Sequence, residues 1–311
     1  GTDLRIEGAR DGGTLAVRLE GPRLDLAPLG GGDGGGAGDG PAPDLAAQAP
    51  LTLDLAIDEV VAGGDGSLAD LAGRLRADRD GLAALRLDAA VRPGDGTVQL
   101  RLEPADGAER LTFLTDDAGG VASALAVSGA LRGGALEITA TVTRRRPQLR
   151  LEGEIAARDF VMSGVPPVVR VLAAAPQTKD LADDDLAVAR FNSPVTLDGR
   201  VLSFEDALLV ASNLAVRASG DVDLAAERLD LQGSLAPAQG LNRFIGNLPL
   251  IGALLQGSRK AGAFALSFTV RGAWRDPTVN VNPLSVVTPG LLQDLFAGAE
   301  VRPPRLPPND D

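Results

Sequence analysis

Aliphatic and polar residues alternate with period two through much of this chain, and that alternation restricts it to strands with one apolar and one wet face. Leu51, Leu53, Leu55 and Ile57 alternate with Thr52, Asp54, Ala56 and Asp58. The pattern returns at Val98–Glu103, Leu136–Thr139, Leu149–Glu152, Val195–Asp198, Leu229–Gln232 and Phe264–Arg271. Successive side chains of a strand point to opposite faces, so each segment carries an aliphatic stripe backed by a polar one. This is the signature of an antiparallel sheet with one face in water.

Turn chemistry separates the segments. Pro93-Gly94-Asp95-Gly96, Asp106-Gly107, Arg132-Gly133-Gly134 and Asp198-Gly199 are hairpin candidates. Strand plus turn recurs at about 10 to 15 residues. No fixed-period repeat of the propeller or solenoid kind accompanies it. Residues 30–44, mostly glycine and aspartate from Gly30 to Gly40, read as a flexible loop that splits one or two N-terminal strands from the rest.

Three segments depart from the alternation and predict short helices towards the C-terminal end. Pro166 to Ala175 clusters Val168, Val169, Val171 and Leu172 behind two prolines. Leu241 to Leu255 sets Leu241, Phe244, Ile245 and Leu248 at helical spacing. Pro249 then bends the chain before Ile251, Leu254 and Leu255. Thr288 to Phe296 starts with a capping threonine and Pro289. The bent pair is open to two readings, an element lying in a membrane interface or a plug packed over one end of the sheet. Residues 298–311 are expected to be a disordered tail.

Composition removes most chemistry. The chain contains no His, Cys or Tyr. A Ser-His-Asp triad and a His- or Cys-ligated zinc site are therefore impossible. The net charge of −12 offers no basic footprint for nucleic acid. Hydrophobic residues make up 44 % and aromatics only 3 %, so the apolar surface is aliphatic. Asp183-Asp184-Asp185 reads as a solvated loop, with a calcium site as the alternative; it lacks the ligand spacing of a calcium loop. Arg144-Arg145-Arg146 reads as a solvated turn, or as a contact for anionic headgroups. The aliphatic stripes themselves fit either the closed interior of a sandwich or an open apolar groove.

The order and spacing of segments in the C-terminal half resemble the AsmA-like family, the AsmA, YhdP and TamB group. The resemblance starts at Gly153-Glu154-Ile155-Ala156-Ala157-Arg158-Asp159-Phe160 and Val165-Pro166-Pro167-Val168. It continues through Gly220-Asp221-Val222-Asp223-Leu224 and Leu229-Asp230-Leu231-Gln232-Gly233. Then follow Leu248-Pro249-Leu250-Ile251-Gly252, Asn282-Pro283-Leu284-Ser285 and Pro289-Gly290-Leu291-Leu292. It covers roughly residues 149–297 as an AsmA-like C-terminal region; residues 1–148 share only the alternation and are read as the N-terminal strands of the same groove.

The resemblance implies a mostly β, elongated and curved antiparallel sheet folded like a taco into an apolar groove. It implies passage of phospholipids between inner and outer membranes, in the periplasm, without catalysis or cofactor, and with an inner-membrane anchor N-terminal to Gly1. An envelope protein partner is compatible with it. The expected lining is Leu149, Leu151, Val195, Leu197, Val222, Leu224, Leu229, Leu231, Leu266 and Phe268, with the parity of each strand left open, since a one-residue slip flips a strand. Leu241, Phe244, Ile245, Leu248, Pro249, Ile251, Leu254 and Leu255 are expected to touch a membrane or a groove end. The alternative is a scaffold for outer-membrane protein assembly that works by strand pairing. A carboxylate-pair enzyme acting on glycans is the weaker third.

Overall fold

The computed structural model describes residues 1–11, 13–27, 50–78, 81–145, 148–164, 185–212, 214–237, 266–273 and 276–282. The fold is mostly β and divides into two units, Gly1–Arg144 and Arg145–Arg305. In the first lie β1 (Asp3–Asp11), β2 (Thr14–Asp25), β3 (Leu51–Val61), β4 (Ser67–Asp78), β5 (Gly81–Arg92), β6 (Thr97–Ala105), β7 (Ala108–Thr115) and β8 (Leu131–Arg145). In the second lie β9 (Gln148–Ser163), β10 (Asp185–Asp198), β11 (Val201–Ala211), β12 (Leu214–Asp223), β13 (Arg228–Pro237), β14 (Leu266–Ala273) and β15 (Thr278–Asn282). Within each unit every strand pairs with its sequence neighbours, and the sheet stays open.

The alternating segments form strands, the last of them described from Leu266 onward. The turns at Pro93–Gly96, Asp106-Gly107 and Asp198-Gly199 form as expected, with Asp106 and Gly107 both at positive φ (47° and 84°), as a tight right-twisting hairpin requires. One pair departs from the antiparallel pattern, and one expected turn is corrected. The pair β2–β3 is parallel, Leu15 facing Leu51 and Leu19 facing Leu55. The long connection over residues 26–50 permits this, since parallel neighbours need a crossover and a two-residue turn cannot supply one. Arg132-Gly133-Gly134 is not a hairpin turn but lies inside β8. The reversal between β7 and β8 is made instead by a helix, α1 (Ala118–Ala124), which the alternation gave no reason to expect.

Asp117 caps α1, accepting from the Gly120 amide at 2.9 Å. Val121 of α1 packs with Val91 and Val98, joined by Leu68, Ala89 and Phe113. Ile57, Val60 and Val91 are buried on the neighbouring strands. The three predicted C-terminal helices, the glycine-rich loop and the C-terminal tail lie outside the described residues, as do Asp183, Asp184 and Arg146.

Aspartates take a left-handed backbone at three points inside strands, and two of them break a ladder. Asp70, Asp159 and Asp206 take left-handed φ of 53°, 58° and 56°. The register shifts around Asp70 and Asp206. At Asp159 the β9–β10 register runs on unshifted, and Phe160 beside it is buried while Leu151 and Ile155 are half-buried. Asp is one of the few residues with a side chain that tolerates this conformation, and such bulges bend a strand and increase its twist.

Candidate functional site

Register decides which side chains share a face, because directly paired residues of neighbouring strands point the same way. In the second unit, Leu151 pairs with Leu197, Leu197 with Leu202, Leu202 with Val222 and Val222 with Leu229. One step along the strands, Val195 pairs with Phe204, Phe204 with Gly220, Gly220 with Leu231, and Leu231 with Val270. A third row runs from Ala207 through Ala218 and Gly233 to Phe268 and Val281. These rows are two residues apart on every strand, allowing for the bulge at Asp206, so they form a single aliphatic face.

That register brings together Leu151, Val195, Leu197, Val222, Leu229, Leu231 and Phe268 of the expected lining. Leu149 continues the same parity on β9 and is 42 % exposed. Leu224 sits just beyond the end of β12 at 43 % exposure, outside the paired rows. Leu266 takes the register position opposite Leu235. The eight residues expected at a membrane or groove end, Leu241, Phe244, Ile245, Leu248, Pro249, Ile251, Leu254 and Leu255, lie outside the described residues.

The other face of this unit is polar. Glu152, Thr196, Ser203, Asp221, Asp230, Arg271 and Thr278 form one continuous paired row. Ser203 donates to Asp221 at 2.6 Å, and Arg271 Nε reaches Asp230 at 2.8 Å. The Arg271 guanidinium is held above its ordinary range by that hydrogen bond and then by the charge of Asp230.

The first unit repeats the design, a correspondence that reading the sequence alone left unconfirmed. One row joins Val17, Leu53, Leu75, Leu85, Leu102, Leu111 and Ala140. The next joins Ile6, Leu19, Leu55, Gly73, Leu87, Leu100, Phe113 and Ile138. Most of these leucines keep part of their surface exposed, although they sit on interior strands; Leu102 is buried. Val91, Val98 and Ile57 are also buried. Behind the leucines, Glu7, Arg18, Asp54, Arg74, Arg86 and Arg101 make a charged row. Arg74 meets Asp54 at 2.5 Å, and Asp88 lies between Arg101 (2.5 Å) and Arg86 (3.5 Å). The Arg74 guanidinium is raised above its usual range, first by the hydrogen bond to Asp54 and then by its charge.

Among the described residues there is no group of three or more acidic side chains placed to hold a metal ion. Nor is any described helix long and apolar enough to cross a membrane. Each unit is an open β-sheet whose paired rows are aliphatic on one face and polar or charged on the other. No family model, curated protein or solved structure matches the chain.

Proposed function

We propose that the chain is a periplasmic, non-catalytic segment that binds phospholipid acyl chains on its aliphatic sheet faces and conducts them between inner and outer membranes. The observation that carries this reading is the partial exposure of the leucine rows. A closed sandwich places a second layer about 10 Å away and buries such residues fully. Here Leu53, Leu55, Leu75, Leu85, Leu87 and Leu100 retain solvent contact on interior strands. A contiguous row of partly exposed aliphatic side chains fits an interaction site.

The energetics fit the ligand. Two acyl chains carry about 30 methylenes, each worth about 0.8 kcal/mol when removed from water. A row crossing seven strands spans six gaps of about 4.8 Å, roughly 29 Å in all. One leaflet of hydrocarbon is about 15 Å thick, so an acyl chain fits along such a row. Because successive positions are chemically alike, a chain moving along the row meets similar wells about every 4.8 Å, and headgroups can remain in water. No covalent step is involved.

Native mass spectrometry of the purified chain, with extracted lipids identified separately, tests the reading. Phospholipid bound at defined stoichiometry supports it. A lipid-free protein that takes up no added phospholipid, and instead holds a β-barrel partner, would replace it with the scaffold reading.

A further inference from the structure

The charged face of the first unit breaks its own alternation. Glu7, Arg18, Asp54 and Arg74 alternate in sign along one paired row, and the row then continues through Arg86 and Arg101. Like charges in directly opposed positions destabilise a strand pair. The neighbouring carboxylates offset only part of this. Asp54 takes Arg74 at 2.5 Å, and Asp88 takes Arg101 at 2.5 Å. Arg86 reaches Asp88 only at 3.5 Å. Arg76, two residues from Arg74 on the same face, is exposed and makes no hydrogen bond or ion pair with any described residue. A recess of about 600 Å³ opens among these side chains, a size within the range of ligand sites. Register gives its plan. Arg74 pairs with Arg86, and Arg76 with Ala84, so arginines stand at three corners of a rectangle and an alanine at the fourth. The short side chain of Ala84 leaves that corner open. Glu103 lines the recess as well, two residues from Arg101 on the same face.

We propose that this recess is an oxyanion site that takes a phosphate group over Ala84, between Arg76 and Arg86. These two guanidiniums border the open corner, and neither is committed to a close carboxylate. Arginine stays charged at every working pH. Its planar fork matches the oxygens of a phosphate and can give two parallel hydrogen bonds to them. A bound phosphate also offsets the opposed charges of Arg74 and Arg86. Glu103 works in the other direction. Asp54 and Asp88 are held by arginines, whereas Glu103 makes no ion pair with any described residue and so repels a bare anion. Free phosphate and a phosphate monoester headgroup share the chemistry the site recognises. The recess lies among residues of the charged face, opposite the leucine rows, so the inference is independent of acyl-chain binding.

Calorimetric titration with inorganic phosphate, at constant ionic strength, tests the site. The wild type is expected to bind one equivalent saturably at millimolar phosphate. Arg76→Gln and Arg86→Gln should each weaken binding about tenfold, the loss of one charge-assisted contact. Neither removes a close ion pair, so both should keep the circular dichroism of the wild type. Arg200→Gln makes the same change in net charge on the second unit and should bind as the wild type does. Glu103→Gln should tighten binding. Glycerol phosphate, which carries no acyl chain, distinguishes the two sources: binding tighter than that of inorganic phosphate points to a headgroup, and weaker binding to the free ion. Either result supports the site. A wild type that takes up neither probe overturns the proposal. So does binding that Arg76→Gln and Arg86→Gln both leave unchanged, or binding that Arg200→Gln weakens equally.

Discussion

The ring of Phe268 lies over Gly233, its cross-strand partner, so that a methyl group on the glycine would stand 2.8 Å from the ring's Cζ. The bare glycine supplies the space, and the ring covers backbone that has no side chain of its own. Phe268 is buried as a result, at 6 % exposure, in the row that holds Ala218 and Val281. Gly233 also lies tight against the backbone of Arg217 and Ala218.

Gly233→Ala is therefore expected to lower stability by about 1–3 kcal/mol, the cost of overpacking a filled site. Shrinking the ring should not relieve it, because the nearer obstacle is the carbonyl of Arg217. Urea unfolding of Gly233→Ala, alone and with Phe268→Leu, checks this. Full rescue by the leucine would show that only the ring matters.

The left-handed aspartates give a second expectation. Asp206 is fixed by its amide, which donates to Ser219 Oγ at 2.9 Å, and by Arg217 at 3.3 Å from its carboxylate. Asp206→Val forces a β-branched residue into a conformation that costs about 1–2 kcal/mol. Asp206→Gly should cost less than the valine, since glycine adopts the backbone freely. Equal unfolding midpoints for the two variants would contradict a bulge held by backbone conformation.

Beside α1 in the first unit, Gly64 lies against Ser123, and an added methyl group would overlap that residue's carbonyl oxygen. Gly64→Ala should displace α1 and expose the Val91–Val98–Val121 cluster, with a loss of about 1–3 kcal/mol. Asp117→Ala should remove the helix cap at about 0.5–2 kcal/mol. Amide exchange at Val121 reports both, and protection equal to the wild type would contradict the contact.

Charge on the polar face responds to salt more than to pH. Arg74, Arg86 and Arg101 face one another in turn, with Asp54 paired to Arg74 from the other side and Asp88 between Arg86 and Arg101. Because Arg74 and Arg271 are raised by their partners, the stability they add is complete below their unfolded values and is lost only as the pH climbs through the raised ones, in strong alkali. Asp88→Asn should instead destabilise by roughly 1 kcal/mol at low ionic strength and by less in 1 M salt. A penalty independent of salt would point to packing.

Much of this arrangement was legible in the sequence, for a physical reason. Period two is a geometric property of a strand, so the stripes at Leu51–Ile57 and Leu229–Gln232 announce both strand and faces. Asp106-Gly107 and Asp198-Gly199 mark hairpins because the positive φ of Asp106, Gly107 and Gly199 is costly for most residues. Parity was not legible, because it depends on partners: Leu231 joins Val195 in one row only through the register of β11 and β12. Helix α1 was hidden because seven residues rich in glycine and alanine carry no apolar stripe. The parallel pair β2–β3 was hidden because nothing in a strand's own alternation specifies the direction of its neighbour.

The central claim is that lipid lies on the odd-numbered face of β13, and site-specific photocrosslinking along that strand tests it most directly. A photoreactive residue placed in turn at Leu229, Asp230, Leu231 and Gln232 would be illuminated in protein carrying phospholipid. The account predicts lipid adducts at positions 229 and 231, with none at 230 and 232. Adducts without this period of two, or none at any of the four positions in protein that has retained its fold, would contradict it.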